Sequence, residues 1–184
     1  AGAAVAQFLL DQSYTKIAFI GARMDPRTCD RLAGFKNVLA KANCLDLIRV
    51  ITNPQPSSIS MGATLFRELM AATKGDCDAV FCCNDDLAVG ALHECKKMHI
   101  NVPDKFGVCG FNDIEMAAYT EPALSSVSVN RYKMGSKAMD LIFERINQDN
   151  DKENSNTSEP STSSSYSSNY INTGFDLVQR KSTR

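Results

Sequence analysis

Four polar stretches hold the residues of this sequence that could do chemistry: Arg23, Arg27 and Arg31; Ser57 and Ser58; Asn84 and Asp85; Asn112 and Asp113. Hydroxyls, amides and carboxylates in such a set suit the many hydroxyl groups of a polyhydroxylated solute. Arg at this density points to an anionic group on that solute, because its fork meets a carboxylate or phosphate through two parallel bonds. Each Arg also fits a surface or salt-bridged position, and Asn84 or Asp85 also fits a plain helix cap. Catalysis has no comparable set. There is no Gly-x-Ser-x-Gly elbow, no Gly-x-Gly-x-x-Gly or P-loop after a strand, and no His in these stretches. Asp85 and Asp86 are adjacent at a helix start and point in different directions, which makes them a poor acid/base pair.

Strands alternating with helices must position these residues. Residues 79–83 are a short apolar run between polar neighbours, the pattern of a buried strand. Residues 84–86 break it, and Leu87, Ala91 and Cys95 then form a helical stripe widened by Val89 and Leu92. Strand, short polar turn and helix make a parallel α/β unit, whose turn lies at the carboxyl end of the strand, where open sheets collect ligands. The pattern repeats along the chain. A helix is expected over 1–12, a strand over 16–20 with Gly21 opening the next loop, and a helix over 31–43 that Asp25 or Thr28 can start. A second strand follows at 47–51, then a helix from Ser57, Ser58 or Ser60 to about residue 72. Residues 106–109 are a strand closed by Gly110, followed by a short helical turn at 114–119, a further strand at 125–129 that suits an edge, a helix over 132–146 and a last strand over 174–178. The predicted fold class is α/β, an open and mostly parallel sheet flanked by helices on both faces. Parallel leading strands bring four loops, 21–31, 53–60, 84–86 and 111–113, to one rim. Residues 147–170 contain no aliphatic side chain and are expected to form a flexible Ser/Asn-rich loop. The closing Gln-Arg-Lys-Ser-Thr-Arg is expected to be a solvated end.

The chain has 184 residues, room for one domain or for one lobe and part of another. It begins Ala-Gly-Ala-Ala without an initiator Met, so it is expected to be a piece of a longer chain. Twenty Lys and Arg against 21 Asp and Glu leave a net charge of -1, without the positive field that nucleic acid attracts. No apolar run is long enough to span a bilayer, so no membrane partner is expected. Seven Cys, an odd number partly inside strand patterns, suggest free buried thiols in a cytoplasmic protein. Without a Cys-x-x-Cys pair, and with His93 and His99 lacking Cys neighbours at finger-like spacing, neither a metal nor a cofactor is expected.

Six motifs in order carry a resemblance over nearly the whole chain. They are Arg31-Leu32-Ala33-Gly34-Phe35; Phe81-Cys82-Cys83-Asn84-Asp85-Asp86-Leu87-Ala88-Val89-Gly90-Ala91; Val102-Pro103; Gly110-Phe111-Asn112-Asp113; Pro122-Ala123-Leu124-Ser125-Ser126-Val127; and Met134-Gly135. Together they resemble the effector-binding domain of the lactose/galactose repressor (LacI/GalR) family. The segments around Gly21 to Thr28 and Cys83 to Lys97 are similar to its gluconate-utilisation branch. The resemblance implies one lobe of a two-lobed, periplasmic-binding-protein-like sensor, with the helix-turn-helix head and most of the other lobe absent. Matched by position, it implies effector contacts at Arg31, Asn84 and Ser57. The family's sugar-binding Asp falls on Asn112 here, a departure that adds a donor and suits an acidic sugar. Arg131, near the family's hinge, is a candidate for the acid group beside Arg23 and Arg27, and Asp85 completes the ligand set. The resemblance also implies a homodimer through the outer face of residues 86–98 and the loop 114–121, with Met98, Met116, Ala117, Ala118 and Tyr119 as its apolar part. Operator DNA would be met only through the absent head.

The first functional expectation is therefore the sensing core of a transcriptional repressor that answers gluconate or a related acidic sugar and controls a catabolic operon. The second is a periplasmic or cytoplasmic sugar-binding protein of a transport or sensing system without DNA binding. An enzyme is not expected, since the rim offers neither base nor nucleophile.

Overall fold

The computed structural model describes residues 1–44, 48–154 and 172–184. These residues form two compact units, 1–128 with 175–184, and 129–174.

The first unit holds a six-stranded sheet in the order β2-β1-β3-β4-β5-β6, made of β1 (Ile17–Ala22), β2 (Arg49–Asn53), β3 (Ala79–Cys82), β4 (Gly107–Asn112), β5 (Ser125–Ser128) and β6 (Asp176–Val178). Neighbours from β2 through β5 run parallel, and β6 pairs antiparallel to β5. The helices of this unit are α1 (Gly2–Asp11), α2 (Pro26–Lys41), α3 (Ile59–Thr73) and α4 (Asp85–Lys97), with a 3-10 turn at Glu115–Ala118. Strands β1, β3 and β4 are almost wholly buried, as their continuous apolar runs require. Phe19 of β1 faces Phe81 of β3 at 5.5 Å between ring centres, and Phe35 of α2 packs on both, at 6.0 and 5.4 Å. Burying each ring contributes roughly 1.5–3 kcal/mol, so this cluster anchors α2 to the middle of the sheet.

Helices α3 and α4 touch backbone to backbone. A Cβ on Gly62 would lie 2.3 Å from the Leu87 carbonyl oxygen, and one on Gly90 would lie 2.2 Å from that of Ile59. Only glycine at both positions permits that approach, and it brings the first turns of the two helices side by side.

Several boundaries differ from the sequence expectation. Of the two starts expected for α2, the structure takes Asp25: its side chain accepts a hydrogen bond from the Thr28 amide at 2.9 Å and Pro26 occupies the first turn, so the helix begins five residues before Arg31. Gly21 and Gly110 lie within strands rather than opening loops, and β4 runs on to Asn112. β5 is not an edge, since β6 covers its outer side. The second unit contains α5 (Arg131–Asn154), which continues eight residues beyond the expected end at Ile146 and into the stretch expected as a loop. Residues 155–170 of that loop, and Leu47 of the expected second strand, lie outside the described residues.

The largest difference concerns the closing segment, which is not a solvated end. Ser182 is fully buried and Thr183 nearly so. The Ser182 hydroxyl donates to the Val108 carbonyl at 2.6 Å and accepts from the Ser125 amide at 2.7 Å, while its carbonyl accepts from the Val108 amide at 2.8 Å. Arg184 donates to the Asp104 carbonyl at 2.8 Å and lies 4.4 Å from the centre of the Tyr14 ring. Two polar residues of this hexapeptide, Ser182 and Thr183, are buried because their hydroxyls and backbone satisfy groups that the sheet leaves open.

Candidate functional site

At the carboxyl ends of the parallel strands lies an open cleft of about 250 Å³, lined by Arg23, Asp25, Arg27, Thr28, Arg31, Ser57, Cys83, Asn84 and Asn112, with Ala22 and Pro56. The rim expected from the fold rule is thus assembled, and six of the eight expected ligand residues line it: Arg23, Arg27, Arg31, Ser57, Asn84 and Asn112.

Arg31, one turn into α2, is the most constrained of the cations. Its guanidinium lies 3.6 Å from the centre of the Phe111 ring and donates to the Cys83 carbonyl at 2.8 Å. Burial lowers its pKa from the ordinary guanidinium range, and the neighbouring charge of Arg27 acts the same way. It remains a cation, held planar against the ring with further N–H donors bordering the cleft. Arg27 is 82% exposed in its side chain and pairs with Asp25 at 2.8 Å. That bond and the Thr28 amide hold the Asp25 carboxyl down to about 2. Arg23 is exposed at the end of β1, in a left-handed conformation, with its amide donating to the Asn53 carbonyl at 2.9 Å.

Asn84 fills both roles that its sequence position left open. Its carbonyl oxygen accepts from the Leu87 amide at 3.2 Å and caps α4, while its amide donates to the Ser57 hydroxyl at 2.6 Å. That bond follows from the close approach of α3 and α4 described above. The starts of α2, α3 and α4 all border the cleft, and their exposed N–H ends add partial positive charge to it. Cys83 contributes a neutral wall, since burial pushes its thiol pKa up.

Asp85 stands apart from the other candidates. It is completely buried, its carboxylate accepts from the Ser126 hydroxyl at 2.6 Å and the Ile114 amide at 2.8 Å, and it does not line the cleft. Arg131 opens α5 in the second unit and is exposed. Asp25 was read from the sequence only as a helix start. The signal that it sits at the rim was Asp25-Pro26, an N-cap followed by proline, which places α2's first turn five residues before Arg31.

Among the described residues, no group of His, Cys, Asp and Glu could hold a metal ion, and no helix is long and apolar enough to cross a membrane. The described cysteines are all free.

Residues 6–164 match the model of the periplasmic binding protein-like domain. The HTH-type transcriptional regulator GntR of Pseudomonas aeruginosa is 36% identical over 183 residues, covering 100% of this chain and 49% of the relative. The HTH-type transcriptional regulator IdnR of Escherichia coli K12 is 34% identical over 143 residues, 77% of this chain and 41% of the relative. The crystal structure of the transcription regulator GntR from Chromobacterium violaceum superposes with a TM-score of 0.83 at 36% identity, covering 100% of this chain and 62% of that one. The chain spans about half the length or less of these curated relatives. The names of these relatives are those of transcription regulators. From the parallel sheet with its cleft at the strand ends, and from the match over residues 6–164, the chain belongs to the periplasmic binding protein-like domain family, in its LacI/GalR-like form.

Proposed function

We propose that this chain is the sensing lobe of a cytoplasmic LacI-type transcriptional repressor that responds to gluconate or a related acidic sugar and controls a catabolic operon. The observation that carries this reading is the charge of the cleft: Arg23, Arg27 and Arg31 face one carboxylate, Asp25, which Arg27 already neutralises. Asn84, Asn112 and Ser57 add amides and a hydroxyl suited to sugar hydroxyls. The names of the relatives support a regulator. A two-lobed sensor is supported by α5, on which Tyr132 is 88% and Phe143 58% exposed, with Met139, Ile142 and Ile146 also in the open. An apolar helix surface of this kind is what a second lobe would cover. Homodimerisation belongs to the same proposal, through Met98, Met116, Ala118 and Tyr119, all exposed; Ala117 is fully buried and is not part of that surface.

Calorimetric titration of the longer regulator with gluconate and with a neutral hexose tests the proposal. Gluconate is expected to bind more tightly, and preference for the neutral hexose would remove the acidic-effector assignment. Arg27→Ala should weaken gluconate by only about twofold to fivefold, the scale of an exposed charge, and leave the hexose unchanged.

The chain by itself is expected not to bind operator DNA. Its net charge of -1 supplies no counterion-releasing surface. A gel shift at physiological salt checks this, with a sequence-specific complex as the contrary result.

A further inference from the structure

We infer that Asp85 is a positioning residue for Asn112, acting from beneath the cleft on the loop that carries it; this rests on the reading of the cleft as the effector site. Asn112 and Asp113 have φ of 107° and 49°, the left-handed region that side chains rarely adopt. Something must hold them there. The Asp85 carboxylate accepts from the Ile114 amide at 2.8 Å and the Ser126 hydroxyl at 2.6 Å. The Ser126 hydroxyl in turn accepts from the Asp113 amide at 3.1 Å. Bonds that start at one buried carboxylate thus hold the two residues that follow Asn112. On the far side of the loop, Asp113 pairs with Arg180 at 2.8 Å.

The floor is shaped for this group. A Cβ on Gly110 would stand 2.2 Å from Asp85 Oδ1, so the strand beside Asn112 has no side chain where the carboxylate lies. Asp85 also opens α4, whose N-cap Asn84 reaches Ser57. One buried carboxylate therefore sets the spacing between the Asn84 and Asn112 walls of the cleft.

The test uses Asp85→Asn, Asn112→Ala and the double variant, with gluconate as the probe and amide hydrogen exchange by NMR as a second reading. Asp85→Asn should exchange the Asp113 and Ile114 amides about tenfold faster, the scale of a lost hydrogen bond, with the Leu65 amide of α3 unchanged. Gluconate affinity should fall about tenfold in each single variant and no further in the double variant, because both act through one contact. Additive losses, or wild-type protection of those two amides, would overturn the inference. If Asp85→Asn fails to fold, Ser126→Ala, which removes the Asp113 acceptor, carries the same readings. If the wild type does not bind gluconate, the functional proposal fails while the exchange rates still decide the role of Asp85.

Discussion

Arg31→Ala is expected to lower gluconate affinity by about 2–5 kcal/mol, or roughly 30-fold to several thousandfold. The size follows from desolvation. Arg27 at the mouth of the cleft exchanges its contacts with water at little cost, whereas Arg31 is half-buried, stacked on Phe111 and tied to the Cys83 carbonyl. An anion that reaches Arg31 meets a charge fixed in place and weakly screened. Truncation removes that charge and frees the Phe111 ring as well. Arg31→Lys keeps the charge but not the planar fork, and should recover only a small part of the loss. Titration calorimetry reads the affinity, and thermal melting of the same samples should show a fold that persists. Wild-type affinity in Arg31→Ala would remove the rim from effector binding.

A chain ending at Gln179 is expected to lose at least about 4 kcal/mol of stability. Ser182 alone satisfies the Val108 amide, the Val108 carbonyl, the Ser125 amide and the Ala123 carbonyl. Thr183 adds a bond of 2.8 Å to the Ser125 hydroxyl, and Arg180 donates to the Leu124 carbonyl at 2.8 Å. Each buried group left without a partner costs about 1–3 kcal/mol, against a total of roughly 5–15 kcal/mol for a folded domain. The melting temperature should fall by at least about 8 °C, at roughly 2–4 °C per kcal/mol for a chain of this size. Ser182→Ala, which removes only the hydroxyl, should fall between the truncation and the intact chain. A melting point for the truncated chain within a few degrees of the intact one would mean that water replaces these bonds without loss.

The two outcomes show what local pattern conveys and what it hides. Apolar runs such as 79–83 and the helical stripe after them announce parallel units, and the rule for open sheets then places Arg31, Ser57, Asn84 and Asn112 at one rim. Asn84 and Asp85 are adjacent, similar in chemistry and opposite in fate. The pattern located the turn, but the direction of each side chain depends on which residue caps α4 and on the space Gly110 leaves below it. Ser182 was illegible for a related reason. Its burial depends on donors and acceptors of Val108 and Ser125, 74 and 57 residues away in sequence, and a hexapeptide rich in charge carries no local sign of them. The apolar pattern of β5 suits an edge, and the pattern of the last strand does not say that its three residues, Asp176–Val178, cover it.

The order in which the first unit is made along the chain has a consequence for synthesis. Its path leaves after Ser128 and returns at Phe175, so β6 and the Ser182 clasp leave the ribosome only after residues 129–174 have been translated. Translation at roughly 5–20 residues per second makes that interval about two to ten seconds. Throughout it the nascent sheet presents the outer side of Ser125–Ser128 as an unpaired strand, able to accept another chain in place of its own. The speed of decoding over 129–174 therefore sets how long each new molecule is open to mispairing, and slow codons there would cost yield without changing one residue of the finished protein.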